Sequence, residues 1–105
     1  IVQGLGQAMG EHAIFEEESG QLINGSYMDY HMPRADEFPN LDLDFNEEAQ
    51  CTTNMLGAKG CGEAGTVAST TAYVNAVYDA LSGYNFNELD MPITPMKVWK
   101  IINNN

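Results

Sequence analysis

The chain has 105 residues and a formal net charge of -11, with four Lys and Arg against fifteen Asp and Glu. That length allows one domain with a modest core, and so few cations exclude a surface built to grip nucleic acid or anionic lipid headgroups. Hydrophobic content of 44% is that of an ordinary globular chain, and no apolar run approaches the ~18 residues of a membrane span.

The N-terminal residues lack the basic-then-apolar pattern of a secretory signal, so a cytoplasmic protein is expected. The sequence starts at Ile1 rather than Met, inside a helical pattern, and reads as part of something longer. Cys51 and Cys61 have nine residues between them. A disulfide is possible on spacing, but two reduced thiols fit a cytosolic chain better. Neither cysteine stands at a zinc-site interval from His12 or His31, and no metal-ligating side chain is expected.

Residues 1–13, "IVQGLGQAMGEHA", place Val2, Leu5, Met9 and Ala13 at helical spacing. Gly4, Gly6 and Gly10 fall inside that pattern, and each glycine costs a helix about 1 kcal/mol relative to alanine. Such a helix implies close approach by a backbone or a ligand, tight packing on a sheet being the plainer reading. The segment "IFEEESGQLINGSYMDYHMP" reads as a hairpin turning near Ser19–Gly20 between Ile14–Phe15 and Leu22–Ile23, with Glu16–Glu18 as a solvated edge. Asn24–Gly25 is a second turn signal. Met28, Tyr30 and Met32 then alternate with Asp29 and His31, a half-buried strand ended by Pro33.

Residues 34–50 are acidic and loop-like. Leu41, Leu43 and Phe45 alternate with Asp42 and Asp44 and predict a short strand. "DLDFNEE" opens like a calcium loop but has Glu47 where the motif needs glycine and Thr53 where it needs glutamate. After the glycine-rich stretch "GAKGCGEAG", Val67, Thr71, Val74, Tyr78 and Leu81 form the stripe of a long helix, with Gly83 as its stop. "ITPMKVWKII" predicts a short last helix with Thr94 as N-cap, Pro95 at the first position, and Val98, Trp99, Ile101 and Ile102 as its apolar side. The closing "NNN" reads as a frayed tail. The fold class is therefore α+β: a glycine-bearing helix, an antiparallel hairpin or small sheet, a long loop, a long helix and a short C-terminal helix.

The glycine-rich stretch, Gly57 to Gly65, supports three readings. As a phosphate loop it has the right glycine spacing, but Glu63 stands where the lysine belongs and would repel phosphate. As a dinucleotide fingerprint, Gly60-x-Gly62-x-x-Gly65 matches, yet "CTTNML" is a poor strand to precede it. As a positioned carboxylate, glycines let the backbone approach a bulky ligand and Glu63 faces it as a base. The plain structural role for Glu63 is to satisfy the orphan amides at the helix start, where a carboxylate is favoured by the helix dipole.

Five segments carry a resemblance: "VQGLGQAMGE", "GQLINGSYMDYHMPRADEFP", "NMLGAKGCGEAG", "NAVYDAL" and "DMPITPMKVW". Together and in this order they resemble the C-terminal part of the molybdenum-binding large subunit of the xanthine dehydrogenase and aldehyde oxidase family. The nearest flavour is aerobic carbon monoxide dehydrogenase. The resemblance covers essentially the whole chain, and residues 1–105 become a single domain or fragment, the C-terminal portion of a molybdopterin-binding domain. It implies that Glu63 is the catalytic base beside molybdenum in a hydroxylation that takes its oxygen from water. It implies that Lys59, Gly60, Cys61 and Gly62 line the cofactor with their backbone and that Gln3 hydrogen-bonds the pterin.

The implied cofactor is molybdenum–molybdopterin, in the cytosine dinucleotide form. Iron–sulfur clusters and FAD sit on an iron–sulfur subunit and an FAD subunit. The remainder of the molybdenum subunit is a further partner, in a complex that can be a homodimer. The resemblance also places substrate-recognising segments upstream, so the 105-residue chain alone is expected to be inactive, with the glycine-bearing helix as its uncovered, sticky face. Two other classes stay open: a stand-alone interaction domain that kept the fold without the chemistry, and a dinucleotide-binding module.

Overall fold

The computed structural model describes residues 1–103. It contains three α-helices, α1 (Val2–Met9), α2 (Ala64–Ala80) and α3 (Pro95–Asn103), and one 3-10 turn at Ala35–Glu37. Between α1 and α2 the chain runs through turns and extended coil.

α1 stops at Met9, short of the predicted Ala13, because Gly10 N and Glu11 N both donate to Gly6 O (3.0 and 2.9 Å) and close the last turn. Its packed face is also not the predicted apolar stripe. Gly4, Gly6 and Ala8 are buried, whereas Val2 is exposed. The reason is the partner: α1 lies on α2, a helix and not a sheet. A Cβ at Gly4 would stand 2.2 Å from Ser69 Oγ and 2.9 Å from Thr66 O, and one at Gly65 would stand 2.6 Å from Ile1 N. The backbones approach that closely only without side chains between them. Hydroxyls of α2 cross the seam, Thr70 Oγ1 donating to Gly4 O (3.0 Å) and Ser69 Oγ to Ile1 O (3.1 Å). The glycine face expected to be bare is thus the covered one.

α2 presents Gly65, Thr66, Ser69, Thr70, Tyr73, Val74 and Val77 inward and ends against buried Leu81. Val67 and Thr71 of the predicted stripe point to solvent, because the first half of the helix buries small residues against α1, which hydropathy patterning does not register. The helix closes through Tyr84 N donating to Leu81 O (2.9 Å) and Ser82 N to Asp79 O (3.1 Å). Gly83 is not among the glycines with positive φ, so the predicted left-handed stop is replaced by this turn.

The second half of α2 builds the core. Leu81, Leu89 and Ile93 are buried, and Tyr73, Val77, Phe86, Val98 and Ile101 pack around them. The Tyr78 hydroxyl accepts from Leu89 N at 3.0 Å, and its ring lies 5.4 Å from Phe86. Ile93 N donates to Ala8 O (2.6 Å) and ties this core to α1. α3 begins as predicted, with Thr94 Oγ1 accepting from Lys97 N at 3.4 Å and Pro95 at the first position. Asn103, assigned to a frayed tail, closes the helix instead, Nδ2 donating to Trp99 O (2.8 Å). Asn104 and Asn105 lie outside the described residues.

The β part of the α+β expectation reduces to one antiparallel bridge, Phe15 with Leu22. It lies between the two expected flanks: Glu16 N donates to Gln21 O and Ile23 N to Ile14 O (both 2.8 Å), around a turn that uses Gly20 at φ +69°. Glu16 is more than a solvated edge, since its carboxylate accepts from Ser19 N (2.7 Å) and Ser19 Oγ (2.6 Å) and ties the turn. Asn24 is buried and takes the place of a second ladder rung, accepting from Ile14 N (2.8 Å) and donating to His12 O. The strands expected at Met28–Met32 and Leu41–Phe45 are a turn and extended coil. A strand needs a neighbour to take its backbone hydrogen bonds, and among the described residues neither segment has one in register.

The radius of gyration is 17.9 Å, against about 13 Å for a compact domain of this size. Met28, Met55 and Leu56 are at least 90% exposed, and all three sit in the stretch between α1 and α2.

Candidate functional site

The segment Lys59–Glu63 is delivered by a tight loop. Cys51 N donates to Gly57 O (3.1 Å), Gly57 N donates to Asn54 O (3.2 Å), and Gly57 takes φ +63°. Inside the loop the Asn54 side chain bonds the backbone three times. Oδ1 accepts from Leu56 N (3.1 Å) and Ala58 N (3.0 Å), and Nδ2 donates to Ala58 O (2.9 Å). Beyond it Gly60 and Gly62 face open space, with nothing within 4 Å of a Cβ built on either.

Glu63 is the N-cap residue of α2, and its side chain makes no capping hydrogen bond. The first turn is closed by main chain instead: Ala64 N donates to Cys61 O (3.3 Å), and Thr66 N and Val67 N donate to Glu63 O (3.0 and 3.2 Å). The carboxylate is exposed and uncommitted to the helix start, so the plain structural role expected for it is not taken.

Lys59, Gly60 and Cys61 line one open hollow of about 500 Å³ together with Phe45, Glu47 and Leu56. Gly62, Glu63 and Gln3 do not line it. Gln3 projects from an exposed position on α1. Its helix start meets the start of α2, where Ile1 stands against Gly65. Gln3 is two residues from that contact on one side and Glu63 two on the other. Gln3 and Glu63 therefore flank one helix-start contact, while Lys59, Gly60 and Cys61 line a separate hollow.

Both cysteines are free thiols. The Thr53 hydroxyl beside Cys51 (Sγ to Oγ1 3.0 Å) holds that thiol below its ordinary pKa, helped by the Thr53 and Asn54 backbone. Asn54 and Thr53 were missed from sequence. An Asn just before a Gly-rich stretch is a turn signal, and it was available. A second hollow of about 450 Å³ is lined by Tyr27, Asp29, Tyr30, His31, Arg34 and Glu37. There the Tyr30 hydroxyl donates to Glu11 Oε2 (2.7 Å), which raises the phenol pKa, and His31 Nε2 lies 3.5 Å from Glu37 Oε2. No predicted site residue lies in it.

The dinucleotide reading needs a strand before Gly60, and residues 46–63 are bends, turns and coil. Among the described residues no three His, Cys, Asp or Glu side chains converge as a metal site, and no helix is long and apolar enough to cross a membrane.

A family profile described as a molybdopterin cofactor-binding domain matches residues 1–39. The chain is 41% identical over 99 residues to the 6-hydroxypseudooxynicotine dehydrogenase complex subunit gamma of Paenarthrobacter nicotinovorans, covering 93% of this chain and 12% of that protein. It is 35% identical over 98 residues to the nicotine 6-hydroxylase large subunit of the same organism, with coverage of 93% and 12%. It is 34% identical over 100 residues to the carbon monoxide dehydrogenase large chain of Hydrogenophaga pseudoflava, with coverage of 95% and 12%. The chain thus spans about an eighth of the length of the curated relatives it matches. No solved structure matches it. A profile match over residues 1–39, joined to relatives 34–41% identical over 93–95% of the chain, places the chain in the molybdopterin-binding, molybdenum-subunit family of the xanthine dehydrogenase and aldehyde oxidase type.

Proposed function

We propose that residues 1–105 are a C-terminal portion of the molybdopterin-binding domain of a molybdenum hydroxylase subunit, with Glu63 as the general base. The observation that carries this reading is the free carboxylate of Glu63. It ends an open glycine segment and leaves the helix amides to main-chain partners.

The residues present fit a bulky pterin cofactor. Gly60 and Gly62 leave room for the backbone of residues 59–62 to lie against it, and Cys61 contributes through its main chain. Lys59 brings a cation to the same rim, and Gln3 offers an exposed amide that both donates and accepts. When bound, the molybdenum cofactor supplies two-electron redox chemistry and Lewis acidity. Glu63 then takes a proton onto a carboxylate oxygen from the water-derived nucleophile that attacks the substrate, a step worth typically 10²–10⁴-fold.

The substrate is a small electrophile: carbon monoxide, an aldehyde, a purine or another heterocycle. The range of the relatives' names supports that breadth. The cofactor takes the cytosine dinucleotide form. The partners are the rest of the molybdenum subunit, an iron–sulfur subunit and an FAD subunit, in a cytoplasmic complex that can pair as a homodimer. The 105-residue chain alone is inactive, because so extended a fold with so small a core encloses no large cofactor.

The test is Glu63→Gln in the full-length subunit, purified with its partners. Turnover nearly vanishes while molybdenum and pterin content stay at wild-type level. Normal turnover would remove Glu63 from the chemistry.

A further inference from the structure

We infer that Asn54 is a positioning residue for the glycine–glutamate segment, an inference that rests on the Glu63 reading above. The loop from Cys51 to Ala58 has no apolar anchor: Met55 and Leu56 are at least 90% exposed and the residues around them carry little burial. Its shape is therefore set by hydrogen bonds. Asn54 makes three of them with its side chain and a fourth with its carbonyl, which accepts from Gly57 N. Cys51 N to Gly57 O closes the ring, and Cys51 Sγ meets Thr53 Oγ1 within it.

Oδ1 gathers two amides, those of Leu56 and Ala58, on either side of Gly57. This clamp spans the one residue of the loop with positive φ. Gly57 turns the chain out of the ring, and Ala58 is the last residue that Asn54 holds before Lys59 to Glu63, whose next hold is the start of α2 through Cys61 O and Glu63 O. A change at Ala58 therefore swings every candidate cofactor contact of that segment together. Only Gln3, on α1, escapes it. Positioning errors of about 1 Å at a reacting group can cost on the order of 10²-fold in rate, and loss of a supporting hydrogen-bond partner at a metal site typically costs 10–100-fold.

The experiment uses the full-length subunit in its complex, with Asn54→Ala, Asn54→Asp and Glu63→Gln made in parallel. Three quantities are read: kcat and KM, molybdenum and pterin content, and amide hydrogen exchange across residues 51–63. Asn54→Ala is expected to lower kcat by ~10–100-fold with the cofactor retained, and to speed exchange at Leu56 and Ala58. Asn54→Asp keeps the oxygen that accepts from both amides and loses only the donation to Ala58 O, so it should recover much of kcat and restore the slow exchange.

An Asn54→Ala enzyme with wild-type kcat overturns the inference. So does loss of cofactor in step with activity in both Asn54 variants while Glu63→Gln stays loaded, since that is a folding role. If Glu63→Gln turns over normally, the base assignment falls by itself. The exchange at Leu56 and Ala58 still decides whether Asn54 holds the loop.

Discussion

The contact between α1 and α2 makes a quantitative prediction through Gly4→Ala. The added methyl carbon would stand 2.2 Å from Ser69 Oγ, 2.8 Å from Thr70 Oγ1 and 2.9 Å from Thr66 O. Ser69 can rotate away, but Thr66 O is backbone in the first turn of α2 and cannot. The helices must separate, and overpacking of this kind costs about 1–3 kcal/mol. Separation also lengthens the Thr70 hydroxyl bond to Gly4 O, now 3.0 Å, a contact worth about 1 kcal/mol. Against this, alanine gains about 1 kcal/mol of helix propensity. The net loss is therefore about 1–3 kcal/mol, roughly a 5–150-fold shift in a local opening equilibrium.

Amide hydrogen exchange of the α1 peptide in the full-length protein reads that shift directly. Gly83→Ala is the control, since nothing lies within 4 Å of its added carbon. Exchange in α1 that is unchanged or slower in Gly4→Ala would refute the steric argument, because propensity would then have won.

Two further outcomes follow from single contacts. Glu16 is held below the ordinary carboxylate pKa, first by the Ser19 hydroxyl and then by the Ser19 and Glu18 amides. A depressed folded-state value means that the turn's contribution is complete above the unfolded carboxylate pKa and is lost as pH falls through the folded one. In Ser19→Ala the Glu16 titration midpoint measured by NMR should rise toward the ordinary value, and an unmoved midpoint would remove Ser19 as the cause. Tyr78→Phe leaves Leu89 N, in a buried residue, without the 3.0 Å hydroxyl acceptor. The cost is about 1–3 kcal/mol, seen as faster exchange at the Leu89 amide, with the ring contact to Phe86 kept; unchanged exchange would mean that the hydroxyl holds nothing.

The parts legible in the sequence are those whose partners are close in the chain or whose residues do one job. The Thr94–Pro95 start needs only its own first turn, and the Phe15–Leu22 pairing needs only the turn between them. α1 and the first half of α2 were legible as helices but not in their orientation. Their contact is made by Gly4, Gly65, Ser69 and Thr70, residues that hydropathy patterning treats as neutral. The strands at 28–32 and 41–45 failed for the opposite reason. Alternation shows which face would be buried, not whether a neighbouring strand exists, and among the described residues neither segment finds one. At the site, the resemblance named Glu63 and its glycines, while Asn54 offered only the general turn signal of an Asn before a glycine-rich stretch, because its work is done on backbone atoms.

The two groups of site residues are positioned by different physics, and this bears on how the site tolerates change. The segment from Lys59 to Glu63 hangs between a hydrogen-bonded ring at Asn54 and the helix start at Ala64. Gln3 is fixed by α1, whose place on α2 is set by steric fit at Gly4 and Gly65. The α2 N-terminus belongs to both. It carries Glu63, and Gly65 just beyond receives Ile1 at a distance that no side chain could allow. A separation of the helices therefore displaces Gln3 from Glu63 without disturbing the loop, whereas a loosened loop displaces Lys59 to Glu63 and leaves Gln3 in place. Under the proposed function these are separable failures. Variants at the helix seam should act first through cofactor retention, because Gln3 holds cofactor and reacts with nothing. Variants in the loop should act first through turnover, because the loop aims the base.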